Sequence, residues 1–135
     1  MRHYLLDTNH IRHAVKEGSS VQERLREARR KGSRVGVCVP VICEFEIGLQ
    51  QARDPAAYRK RIERLFSRFR IWPLDWDTAR VYGTIALLLR SRGKVLSQVD
   101  MMQAALAIQM KLTLVTGDRD FEALPEVRTE NWLQL

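Results

Sequence analysis

The sequence predicts an α/β fold, a parallel sheet of four to five strands covered by helices on both faces, and three observations carry that prediction. Short apolar runs at 3–6, 35–39, 70–74 and 112–116 alternate along the chain with longer segments of helical periodicity. The runs are continuous rather than alternating, as expected where both faces of a sheet are covered. Strands separated by helical segments build parallel crossovers. The chain has 135 residues, enough to bury a core, and contains no linker, repeat or low-complexity stretch, so 1–135 reads as one domain.

Taken in order, His3-Tyr4-Leu5-Leu6 is the first strand, with Asp7 at its end. On local grounds Asp7 could itself cap the helix that follows, but Thr8 and Asn9 are also good caps, and with Asp7 drawn into a site the capping role is expected to fall on one of them. A short helix over 9–16 ends at Gly18; Ser19 caps a second over 21–31, stopped by Gly32. The apolar residues of that second helix are chiefly Val21, Leu25 and Ala28, so it reads as loosely anchored, with a long basic face. The β-branched run at 35–39 is a buried strand, and Pro40 suits the first turn of a helix running through Leu49. Pro55 opens the next helix, where Tyr58, Ile62, Leu65, Phe66 and Phe69 form one stripe. Pro73 favours an edge position for the strand at 70–74. Asp75 or Asp77 caps a long helix that turns Val81, Ile85, Leu88 and Leu89 inward and ends at Gly93. A loop over 94–99 leads to a helix over 100–111 and a buried strand over 112–116. Gly117-Asp118-Arg119-Asp120 is turn-like, and the chain closes near 127–132.

Lys and Arg outnumber Asp and Glu by 23 to 16, a net +7. The excess sits in two segments: 12–34 holds eight basic and three acidic residues, and 53–70 holds seven and two. From 71 onward the count is seven against eight. A basic half points to a polyanionic partner, nucleic acid ahead of a membrane surface. No apolar run approaches the roughly 18 residues of a membrane span, and the start reads as a strand rather than a signal peptide, so the cytoplasm is the expected location. Cys38 and Cys43 are too few for a disulfide scaffold or a four-ligand zinc site, and both read as buried, reduced thiols. No Gly-rich phosphate loop occurs.

What remains is a set of acids. Asp7 follows the first strand, Glu44 lies one turn into the helix after the second, and Asp118 follows the last full strand. Asp100 opens the helix feeding that strand. In a parallel sheet these positions share the carboxyl-end rim, where ligands bind. Four carboxylates brought together there repel unless a cation sits among them, and hard oxygen donors suit Mg²⁺ or Mn²⁺. Each acid also has a structural role open to it. Asp100 with Gln103 fits a capping box, Glu46 competes with Glu44, and Asp120 competes with Asp118. His10 and His13, three apart, could share a metal, although no third nitrogen or sulfur ligand is near.

The pattern resembles the PIN-domain family, in particular the VapC-type toxins of toxin–antitoxin pairs. The resemblance rests on Leu5-Leu6-Asp7-Thr8-Asn9, Glu44-Phe45-Glu46-Ile47-Gly48, the stretch from Asp100 to Ala107, the stretch from Leu114 to Phe121, and Glu130-Asn131-Trp132. Gln103 departs from the aliphatic residue usual at its place, and Asp118 falls where such proteins carry Asp or Asn. The resemblance implies a single PIN-like domain and an endoribonuclease dependent on Mg²⁺ or Mn²⁺. Asp7, Glu44, Asp100 and Asp118 would be the catalytic metal-binding acids, supported by Thr8, Asn9 and Thr116. It also implies an RNA substrate, a homodimer or toxin–antitoxin hetero-oligomer, and a small antitoxin whose segment enters the acidic crevice. The alternative is a catalytically silent PIN-like module that holds RNA or protein.

Overall fold

The computed structural model describes residues 1–133. Five strands lie in one sheet: β1 (Tyr4–Leu6), β2 (Val35–Cys38), β3 (Arg70–Trp72), β4 (Thr113–Val115) and β5 (Thr129–Glu130). Their spatial order is β3-β2-β1-β4-β5 and every pairing is parallel. Leu5, Leu6, Val37, Cys38, Leu114 and Val115 are fully buried, which is why these runs are apolar on both faces. Pro73 follows β3, and β3 is indeed an edge strand.

Six α-helices make the connections: α1 (Thr8–Ala14), α2 (Ser20–Arg30), α3 (Val39–Gln50), α4 (Pro55–Phe66), α5 (Trp76–Ser91) and α6 (Gln98–Met110). From β1 to β3 the chain steps outward on one side of β1; from β3 it crosses back to β4 on the other side. Because parallel crossovers are right-handed, the reversal puts α5 and α6 on the sheet face opposite α1 to α4. It also opens a switch point between β1 and β4, the place where open α/β sheets bind ligands.

Most of the expected elements stand within a residue or two of their expected ends. Ser19 caps α2, accepting from the Gln22 amide, and Val21, Leu25 and Ala28 are all buried. Three buried residues on three successive turns hold α2 to the core, so it is better anchored than its sparse apolar content implied. Of the α4 stripe, Ile62 and Phe69 are buried, while Tyr58, Leu65 and Phe66 are half-buried. Asp75 rather than Asp77 caps α5, in a reciprocal box with Thr78.

Three local expectations are corrected. The cap of α1 is Asp7 itself, whose side chain accepts from the His10 amide, not Thr8 or Asn9. Ser97 caps α6 and places Asp100 inside its first turn, so Asp100 and Gln103 form no capping box. Cys43 is exposed, because α3 turns Val41, Phe45 and Leu49 inward and position 43 falls between them; only Cys38 is buried, and burial pushes its thiol up to about 11.

Gly36 is required by the sheet. A Cβ there would lie 1.9 Å from the Arg70 carbonyl oxygen, so β2 and β3 pass too close for any side chain.

Candidate active site

Asp7, Thr8, Asn9, Glu44, Asp100 and Asp118 line one open depression of about 490 Å³ at the carboxyl rim of the sheet, together with Arg12, Gln103, Gly117, Asn131 and Leu133. Its position follows from the topology. Asp7 ends β1, Asp118 follows β4, and the Asp7 amide donates to the Val115 carbonyl at 3.1 Å, closing the last rung between the two strands. Glu44 comes from the second turn of α3 and Asp100 from the first turn of α6. All four acids expected at the site are therefore brought to one place.

Asp7 is the most firmly held. Its Oδ1 accepts the His10 amide and the His10 ring Nδ1, each at 2.8 Å. Burial opposes its charge, but these bonds, with a further contribution from the neighbouring Thr116 side chain, more than offset it, holding the carboxyl below its usual value. Thr116 is itself fixed, its hydroxyl accepting the Asp118 amide at 3.1 Å. Thr8 and Asn9 line the depression, but among the described residues their side chains make no hydrogen bond to the acids.

Asp100 is perturbed in the opposite direction. Burial raises its carboxyl above the usual range, a bond from the Ser97 side opposes this, and the charges of Asp118, Glu44 and Asp120 raise it further. The two carboxyls are thus shifted in opposite directions, Asp7 lowered by its donors and Asp100 raised by burial first and by its acidic neighbours second. Asp118 is exposed and caps the short 3-10 helix Arg119–Ala123, accepting the Asp120 amide at 2.9 Å. Asp120 does not line the depression. Neither does Glu46, which is engaged by Arg59 and accepts from Gln50 at 3.1 Å.

The donors fit a hard divalent cation. They are carboxylate and amide oxygens, and the Gln103 Oε1 atom at their edge is buried with no hydrogen-bond partner among the described residues. Among the described residues, no three His, Cys, Asp or Glu side chains are already drawn together closely enough to hold an ion by themselves. A metal shared by His10 and His13 does not fit. His10 is buried with both ring nitrogens engaged, and His13 points to the Asn9 carbonyl.

Three polar side chains of the depression lie outside the set of site residues expected from sequence. Arg12 stands one helical turn beyond Thr8, a spacing that brings it to the same face. Gln103 was read as half of a cap; its Nε2 lies 3.4 Å from Asp100 Oδ1. Asn131 leans on Gly117, where a Cβ would meet Asn131 Nδ2 at 3.0 Å.

A model of the PIN domain matches residues 4–127, which take in β1 through β4 and all four acids. The chain belongs to the PIN-domain family. Among curated PIN proteins of the VapC type, it is 29% identical over 134 residues to ribonuclease VapC2 of Haemophilus influenzae, covering 98% of this chain and 100% of the relative. It is 28% identical over 134 residues to the tRNA(fMet)-specific endonuclease VapC of Salmonella typhimurium, covering 98% and 99%. The PIN fold is equally clear in VapBC2 of Rickettsia felis bound to a promoter DNA fragment, which superposes with a TM-score of 0.88 at 24% identity over 96% of this chain and 98% of that one.

Proposed function

We propose that this PIN protein is a metal-dependent endoribonuclease and the toxin of a toxin–antitoxin pair, using Mg²⁺ or Mn²⁺. Asp7, Glu44, Asp100 and Asp118 would bind the ion, one or two directly and the others through its waters, with Thr116, Thr8 and Asn9 in support. The observation that carries this reading is the convergence of the four carboxylates on one depression, with Asp100 raised by burial and by its acidic neighbours. The family match and the full-length likeness to proteins named ribonuclease and endonuclease support it.

Each residue has a distinct task. Asp7, pinned by His10, is the fixed ligand around which the others arrange. Asp100, Glu44 and Asp118 supply charge that is unfavourable without a cation and favourable with one. When bound, the ion would activate a water and offset charge on the scissile phosphate. Arg12, exposed at the rim, offers a cation to the phosphodiester entering the depression. A separate cleft of about 780 Å³ is lined by Arg26 and Arg29 of α2 and by Arg61, Arg64 and Arg68 in and after α4. These arginines gather both basic segments on one surface, suited to the sugar-phosphate chain beyond the cut and weakened by salt.

An apolar groove of about 650 Å³ runs from the acids along α3, sharing Thr8, Arg12 and Glu44 with the depression and adding Phe45, Ile47, Leu49 and Tyr58. A small antitoxin segment with apolar side chains and a basic residue at its tip would fit that surface and neutralise the site. The exposed Trp76 and Leu87 of α5 are suited to a second copy of the chain.

The deciding experiment is RNA cleavage. Purified protein should cut RNA in Mg²⁺ or Mn²⁺ and stop in EDTA, and Asp7→Asn should lower the rate by at least about 100-fold, as loss of a central charged group in a preorganised site does. Undiminished cleavage by Asp7→Asn would remove the mechanism. Intact RNA under every metal condition would favour the silent binding module.

A further inference from the structure

We propose that His10 is the positioning residue of the acidic site: it clamps the Asp7 carboxylate from Nδ1 and is itself clamped at Nε2 by the backbone of the segment after β5. The inference rests on the metal-site reading above and names how its central ligand is oriented.

The geometry leaves one assignment for the ring. His10 is fully buried, and the Trp132 backbone amide donates to Nε2 at 3.1 Å. An amide nitrogen has only a proton to offer, so Nε2 presents its lone pair. The remaining ring proton is on Nδ1, where it points at Asp7 Oδ1, 2.8 Å away. The far end of this chain of bonds is rigid. The Trp132 side chain is buried, edge-on to Tyr4 with ring centroids 5.0 Å apart, and its indole N–H donates to Glu130 at 3.0 Å. The Trp132 carbonyl accepts from the Ser20 hydroxyl at 2.8 Å. Both backbone groups of Trp132 are thus occupied, and the ring cannot tilt without breaking a bond at either nitrogen.

The consequence is a defined carboxylate. A metal ligand is tuned by the partner that orients it, here a histidine behind a carboxylate. His10 also makes residues 122 positions apart cooperate in the site, since Trp132 braces a ring that braces Asp7.

Two substitutions separate the two bonds. In His10→Asn the side-chain amide can donate where Nδ1 does but is too short to meet Trp132. In His10→Gln the carbonyl oxygen can accept from Trp132 as Nε2 does, but the donor to Asp7 is lost. In the metal-free wild type, ¹⁵N ring shifts of His10 should show a protonated Nδ1 and a bare Nε2. In Mn²⁺ titrations of metal-free protein followed by calorimetry, His10→Asn should bind within about threefold of wild type and His10→Gln about 10- to 100-fold more weakly. Thermal midpoints should run in the other order, His10→Gln above His10→Asn, because only the former keeps the Trp132 brace. A protonated Nε2, or equal Mn²⁺ affinities for the two variants, would overturn the proposal. The ring shifts need no variant, so they decide the assignment even if a variant fails to fold. A flat wild-type titration overturns the metal reading itself, and the ring shifts then separate that failure from a wrong orientation of His10.

Discussion

Asp100→Asn should stabilise the metal-free protein while abolishing the site it belongs to. Asp100 is half-buried, and its carboxyl is raised by that burial and by Asp118, Glu44 and Asp120, with the Ser97 bond only partly opposing. Its charge is therefore unfavourable in the folded state, and an uncharged side chain of the same shape relieves it. Asn retains an amide oxygen to face Gln103, so the packing is kept. Relieving a functional site of this kind typically contributes about 0.5–2 kcal/mol. For 135 residues, an unfolding entropy of about 2.1 cal/mol/K per residue is about 0.28 kcal/mol/K, so the midpoint should rise by about 2–7 °C. The sign of the pH dependence is defined. A folded-state value above the unfolded one destabilises at neutral pH, and the penalty disappears as pH falls through the raised value toward the ordinary carboxylate value. The advantage of Asp100→Asn should shrink over that window and vanish in acid. The assay is thermal unfolding in EDTA from neutral to acidic pH, repeated with Mg²⁺. A ligand at 100 times its Kd adds about 2.7 kcal/mol, so Mg²⁺ should raise the wild type and leave the variant unchanged. A lower or unchanged midpoint for Asp100→Asn in EDTA at neutral pH would refute an unfavourable charge at Asp100.

Asp7→Asn should act in the opposite sense, losing about 1.5–3 kcal/mol at neutral pH because it removes the charge that the His10 amide and ring hold. Asp7 titrates below its unfolded value, so this stability is present above that value and lost as pH falls through the lowered one; equilibrium urea unfolding from neutral to acidic pH should show the gap to wild type closing only at the acid end. Gly36→Ala puts a methyl group 1.9 Å from the Arg70 oxygen and should cost about 3 kcal/mol or more by forcing β2 and β3 apart, read as a lower denaturation midpoint or loss of soluble protein.

The order of strands and helices was legible in the sequence because its signals are local. Apolar runs, Pro40, Pro55 and Pro73, and the helix-ending Gly18, Gly32 and Gly93 each act through their own backbone or nearest neighbours. The four acids were legible for a related reason. In a parallel sheet every strand end reaches the same rim, so position along the chain already implies position in space. Capping was legible only in part. Ser19 and Asp75 cap as expected, but Thr8, Asn9 and Asp100 were plausible caps that lost to Asp7 and Ser97. Several oxygens stood within reach of the same amides, and the angle at which the strand or loop meets the helix selected among them.

Asp7 shows where the sequence stops and the tertiary structure takes over. By itself the sequence determined that a carboxylate ends β1 and begins a helix, because both facts are written within a few residues. It did not determine what orients that carboxylate. The cap on α1, the partner of each His10 nitrogen, the opposite shifts of Asp7 and Asp100 and the exposure of Cys43 depend on segments that meet only when the sheet is assembled. A hydrogen bond between His10 and Trp132 spans most of the chain, and its energy depends on distance and direction rather than on residue type alone.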